Sequence, residues 1–178
     1  MTEISGAWSR AEAARFLDAA VVPMRLACHR PDGAIWPLSL WYRYRDPTGG
    51  EHASNAGEDG FGTFECATGA GADVVAFLER DGHVGFEVST NAPPYMGIRG
   101  SGTATVSPDR DKAVIEALVR RYLGGTESGM ARRLLADDRQ EVRIAVEPDR
   151  LYTWDFTARM REMTDVPAAE CEPPSPRE

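Results

Sequence analysis

The stretch Val84 to Val106, VGFEVSTNAPPYMGIRGSGTATV, decides the fold. Val84, Phe86 and Val88 alternate with Gly85, Glu87 and Ser89, the two-residue period of a strand with one buried face. Asn91 to Pro94 stops that strand, because successive prolines donate no ladder hydrogen bonds and constrain the residue before them. Beyond the corner, Ile98, Gly100, Gly102, Ala104 and Val106 share one face, and Arg99, Ser101, Thr103 and Thr105 share the other. The spacing predicts a hairpin. Glycines inside a strand mark either the close approach of a ligand or backbone, or the curl of a small barrel, and both readings stand. Arg99, alone among small polar neighbours, either contacts an anion or pairs with Glu87 on the adjacent strand.

Upstream, Ser9 followed by Glu12 forms a capping box, and Ala13, Phe16, Leu17 and Ala20 recur at the spacing of one helical face. A helix is expected over about Ser9 to Ala20. Val22, Met24, Leu26 and Cys28 then alternate with polar neighbours, and Pro31-Asp32-Gly33 is turn chemistry. The return strand places Trp36, Leu38, Leu40, Tyr42 and Tyr44 on one face and Ile35, Pro37, Ser39, Trp41, Arg43 and Arg45 on the other. Aromatics on both faces predict cover on both sides: barrel core on one, a subunit interface or ligand wall on the other. From Asp46 to Gly62 the chain holds five glycines and no aliphatic side chain longer than alanine, which reads as a long flexible loop, disordered or serving as a lid. Thr63 to Thr68 resumes strand character, and Val74, Phe77 and Leu78 mark a helix with Gly82 as its C-cap.

Downstream, Ser107-Pro108-Asp109 supplies an N-cap, a first-position proline and an early acid, and Ile115, Leu118, Val119 and Tyr122 lie on one face of the helix that Gly124-Gly125 ends. Glu127 to Asp138 predicts a shorter helix. Val142, Ile144 and Val146 alternate, Pro148-Asp149 turns, and Tyr152, Trp154 and Phe156 alternate again, which predicts a closing hairpin. Residues 164–178 carry four prolines and few core formers, and read as a disordered tail after a single domain spanning residues 1–163.

Composition narrows the function classes. A net charge of −8 repels phosphate backbones, and no basic block offsets it locally, so neither nucleic acid nor an anionic membrane is an expected partner. No apolar run approaches the roughly 18 residues needed to span a bilayer, and a cytoplasmic protein is expected. Three scattered cysteines suit a reduced compartment, Cys28 and Cys66 being small buried hydrophobes. His29, His52 and His83 share no ligand spacing, so no metal site is expected.

Six or seven strands joined mostly by hairpins, with peripheral helices, predict an antiparallel barrel of the α+β kind. The runs GADVVAFLERDGHVGFEVSTNAPPYMGIRGSGTA, SPDRDKAVIEALVRRYLG and RRLLADDRQEVRIAVEPDRLYTWDF resemble the pyridoxamine 5′-phosphate oxidase-like FMN-binding split β-barrel family, across roughly Trp8 to Phe156. The resemblance implies a homodimeric oxidoreductase that binds FMN or, alternatively, the deazaflavin coenzyme F420 in an interface cleft, and acts on a small-molecule substrate. It further implies that Pro37, Ser39, Leu40, Trp41 and Tyr42 flank the cofactor, that Ala67 and Thr68 meet its phosphate end, and that Tyr95 and Arg99 line the pocket from the corner. Trp41 and Trp154 either stack on the ring or serve as core and dimer contacts.

This chain departs from the family pattern where the phosphate is held. A basic residue late in the second strand and a basic pair at the next helix start are usual there, and this chain has Tyr42 and Asp73-Val74. A buried dianion without cationic partners is costly. Arg43, Arg99 or Arg25 substitutes, or the chain is a non-catalytic binding or sensing protein for a small hydrophobic ligand. No catalytic residue is assigned.

Overall fold

The computed structural model describes residues 2–46 and 61–161. The core of the loop expected at 46–62 and the whole of the tail expected at 164–178 lie outside the described residues. The elements, in chain order, are β1 (Glu3–Gly6), α1 (Arg10–Ala19), β2 (Met24–His29), β3 (Ile35–Leu40), β4 (Tyr42–Arg45), β5 (Thr63–Gly69), α2 (Asp73–Arg80), β6 (His83–Ser89), β7 (Met96–Pro108), α3 (Ala113–Leu123), α4 (Gly129–Leu134), β8 (Glu141–Asp155) and α5 (Thr157–Met160). Seven strands form one antiparallel path in the order β3-β2-β6-β7-β8-β5-β4, and β1 adds alongside β8 in parallel. The sheet curls around a core that includes Met24, Leu26, Tyr42, Phe64, Ile98, Ile144 and Leu151, each essentially without exposure. No helix among the described residues is long and apolar enough to cross a membrane.

The central hairpin forms as the alternation predicts. β6 and β7 pair from His83 with Thr103 to Ser89 with Gly97, and Val84, Phe86 and Val88 face the core. The corner between them carries a cis bond at Pro93-Pro94. The glycines of β7 answer to backbone: a Cβ on Gly100 would strike the Arg150 carbonyl and the Phe86 ring. Neighbouring strands therefore lie too close for any side chain at that position.

Four expectations change. β8 is one bent strand of 15 residues where a hairpin was expected, because β7 ladders along nearly its whole length and Pro148 falls opposite Gly102 at a register shift, where its missing N–H costs little. The expected single strand from Ile35 to Arg45 breaks at Trp41 into β3 and β4, which pair with different partners. β7 runs on through Pro108, so Pro108 does not open a helix; α3 starts after Lys112, whose φ is 56°, and the buried Asp109 carboxylate accepts from Val114 and Ile115 N–H at 3.2 and 2.9 Å. α2 ends at an extended Asp81 in place of a Gly82 cap. The Ser9–Glu12 capping box of α1 is present as expected.

Candidate functional site

The break at Trp41 builds the site. Tyr42 turns into the core and is fully buried, its hydroxyl donating to the Leu17 carbonyl at 2.9 Å and reaching the Ala20 carbonyl at 3.2 Å. That environment pushes its pKa up, mainly through burial. Trp41, one residue earlier, faces the other way and stacks on Tyr122 of α3, with ring centroids 5.0 Å apart and an interplanar angle of 4°. The Tyr122 hydroxyl accepts from Tyr42 N–H at 3.2 Å and donates to the Val22 carbonyl at 2.9 Å, pinning α3 across the start of β4.

Beside Trp41 lies a groove of about 260 Å³. Ser39, Leu40 and Trp41 form one side, Ala67, Thr68 and Gly69 at the end of β5 form the floor, and Ile115, Leu118, Met130 and Leu134 of α3 and α4 form an apolar wall. Its polar end holds Arg139, whose Nε donates to Glu141 Oε1 at 2.7 Å; the Glu141 side chain is 1 % exposed. The surroundings are thus largely apolar with two hydroxyls and a compensated charge pair.

A second charged group continues along the same outward face. Glu65, two residues before Ala67 on β5, sits between Arg43 Nε at 2.6 Å and Arg143 Nε at 2.8 Å, with Arg45 Nε at 4.0 Å. Burial alone raises the Glu65 pKa, and the charges and hydrogen bonds of Arg43 and Arg143 overcome that, leaving it below the ordinary carboxylate value. Among the described residues, three guanidiniums face this one carboxylate, an excess of two positive charges in the cluster. Two residues along a strand is about 7 Å, so this excess borders the groove floor.

Of the residues named from the sequence, Ser39, Leu40, Trp41, Ala67 and Thr68 come together around the groove. Tyr42 does not line it: its side chain stays on the core-facing side that it shares with Leu38 and Leu40, and is fully buried. Pro37 lies exposed on β3 opposite Ala27, and Tyr95 lies 43 % exposed after the proline corner. Arg99 sits on β7, two strands from β5, with its guanidinium over the rings of Tyr152 and Trp154 at 4.9 and 5.8 Å. It is not paired with Glu87, which Arg25 takes at 3.6 Å. The α3–α4 wall, Arg139 and Arg143 were not found from the sequence, since nothing local says which outer face a helix covers. Among the described residues no cluster of His, Cys, Asp or Glu is arranged to hold a metal ion.

No family model matches the sequence, and comparison with curated proteins by sequence finds no match. Solved structures do match the fold. A conserved hypothetical protein from Mycobacterium tuberculosis superposes with a TM-score of 0.63 at 20% identity, covering 94% of each chain. An F420 reductase does so at 0.57 and 19% identity, over 76% of this chain and 92% of that one. A pyridoxamine 5′-phosphate oxidase-type protein from Listeria innocua does so at 0.50 and 12% identity, over 81% of this chain and 96% of that one. The chain is a pyridoxamine 5′-phosphate oxidase-like split barrel in fold.

Fold alone does not carry an activity; a flat redox ring with a phosphate-bearing tail would need an apolar slot and a cationic end. The groove suits the ring: an indole edge, an apolar helical wall and the hydroxyls of Ser39 and Thr68. The tail finds no cation at Tyr42 or at the start of α2, where Ala72 makes no side-chain cap bond and Asp73 stands in the first turn. The guanidiniums of Arg43, Arg45 and Arg143 around Glu65, beside the floor, are the cations that would have to hold such a tail. Of the cations the sequence offered as substitutes, Arg43 lies beside the groove floor and Arg99 and Arg25 do not line it.

Proposed function

We propose that this chain is an oxidoreductase that uses bound FMN, or alternatively the deazaflavin coenzyme F420, on a small organic substrate, working as a homodimer with a cleft between two copies. The observation that carries the reading is the convergence of Ser39, Leu40, Trp41, Ala67 and Thr68 on one groove of a split barrel. The cofactor supplies hydride chemistry when bound. The chain's own residues position it: Trp41, held by Tyr122, offers a flat edge, Ser39 and Thr68 offer hydroxyls to polar ring and ribityl-type atoms, and Arg43 and Arg143 balance an anionic tail. Ile115, Leu118 and Leu134 exclude water from the apolar side. No side chain in the groove is placed as a general base. The net charge of −8 argues against nucleic acid or an anionic membrane as a partner.

The test is an absorbance spectrum and mass analysis of any small molecule released from the purified protein, with melting temperature measured as FMN or deazaflavin is added. A ligand that binds the folded state must raise the melting temperature. A colourless protein whose melting temperature is unmoved by either compound sinks the proposal.

A second reading draws on the ion pairs. Arg139 is taken by Glu141 and the three-arginine group holds Glu65, which favours a binding or sensing protein for a small hydrophobic ligand without a phosphate. Stabilisation by an uncharged aromatic compound, with none from FMN or deazaflavin, selects it.

A further inference from the structure

The outward face of β6, β7 and β8 carries a depression of about 460 Å³ separate from the groove. Its floor is the backbone at Gly85 and Gly100, and Glu87, Arg99, Ser101 and Tyr152 stand around it. Gly85 makes the space: a Cβ there would meet nothing nearer than the Gly100 carbonyl at 3.9 Å, so the missing side chain leaves the sheet bare where Gly85 and Ser101 pair.

The charges are uneven. Arg99 is exposed and its guanidinium rests on Tyr152 and Trp154, an arrangement that fixes the cation without using its N–H donors. The carboxylate that register places opposite it, Glu87, is engaged by Arg25 at 3.6 Å and by the Ser89 hydroxyl at 2.7 Å. Arg25 is itself held by Asn91 at 2.7 Å, so it does not release Glu87 to Arg99. Arg150, the other cation at the rim, is occupied by Glu3 at 3.2 Å. Among the described residues the Arg99 guanidinium has no hydrogen-bond or ion-pair partner, nor has the Ser101 hydroxyl two residues along the same face. An arginine oriented by two rings, a free hydroxyl and a bare floor make a complement for a carboxylate attached to a flat body.

We propose that this depression is a binding site for small monocarboxylates carrying a planar apolar group, with the carboxylate on Arg99 and Ser101 and the flat body over Gly85 against Tyr152. Arg99 is thereby a ligand contact of this site and not of the groove beside Trp41. The site does not depend on the cofactor reading, since no groove residue lines it.

The probe is benzoate, titrated into the full chain by calorimetry, with benzamide as the neutral isostere. Saturable binding in the millimolar range is expected for benzoate, and at least about tenfold weaker binding for benzamide, because only the anion makes charge-assisted bonds. Arg99→Met, which keeps the stem over the rings, lowers benzoate affinity by about tenfold or more. Gly85→Val fills the floor and does the same by a different route, on a strand position that accepts a β-branched residue. Prior saturation with FMN leaves the benzoate titration unchanged. The site is refuted if benzoate and benzamide bind alike, if benzoate does not saturate by about 20 mM, or if neither substitution weakens it. A colourless protein that still binds benzoate removes the cofactor proposal and leaves this one standing.

Discussion

Glu65 and Arg43 face each other across β4 and β5, the Glu65 carboxylate 2.6 Å from Arg43 Nε and only 6 % exposed. The pair is the hinge between stability and charge on the outer face, because Arg143 closes on the other carboxylate oxygen at 2.8 Å. Replacing Glu65 by Gln leaves three guanidiniums facing one another without a counter-charge. Urea denaturation at pH 7 should show Glu65→Gln less stable by about 2–4 kcal/mol, the range for breaking one side of a partly buried ion pair.

The same residue sets an acid limb. Its folded pKa lies below the unfolded value, so the pair's contribution is fully present above about pH 5, where the unfolded glutamate is also ionised, and is lost as pH falls through the folded value. Between about pH 5 and 3 the parent should lose stability more steeply than Glu65→Gln. Parallel slopes in that window would remove Glu65 from the account.

Two glycines on the central hairpin should behave oppositely. Gly100→Ala forces a Cβ into the Arg150 carbonyl and the Phe86 ring and should cost about 2–3 kcal/mol or prevent folding. Gly85→Ala enters open space on a strand, and should be neutral or stabilising by about 0.5 kcal/mol, because it lowers the entropy of the unfolded chain. Thermal melts of the two variants beside the parent check both.

Asp109 caps α3 from outside the helix, its two oxygens accepting from Val114 and Ile115 N–H while the residue is 6 % exposed. Asp109→Ala orphans both donors and should cost about 2 kcal/mol in a denaturant titration. Since α3 forms one wall of the groove, the same variant should also weaken any FMN-induced rise in melting temperature.

Tyr42 and Trp41 separate core from groove. Tyr42→Phe removes a buried hydroxyl bonded to Leu17 and should cost about 1–2 kcal/mol while leaving FMN affinity unchanged. Trp41→Ala should lower FMN affinity by about tenfold or more, an aromatic contact being worth roughly that much. Fluorescence quenching titrations on the two variants distinguish the roles.

Periodicity over Val84 to Val106 was legible because each alternate residue there commits to one face of one sheet, and the buried set is the apolar set. The α1 cap was legible for a similar reason: Ser9 and Glu12 satisfy each other's backbone within four residues. Pro148 misled, because a proline signals a turn locally, while the neighbouring strand's register shift at Gly102 let β8 run straight through it. Tyr42 keeps the core-facing side that Leu38 and Leu40 share, as the alternation predicts, so its place beside the cofactor came from the family resemblance and not from the strand period.

The order of residues by itself determined the strand periods, the proline corner, the first helix and the net acidic charge, since these follow from neighbours a few positions apart and from summed charge. Only the tertiary structure decided that α3 and α4 wall the groove, that Glu65 gathers arginines from β4 and β8, and that Arg99 leans on Tyr152 rather than Glu87. Those contacts join residues as far apart in the chain as Arg43 and Arg143, and the choice among competing partners is made by packing, which no local pattern encodes.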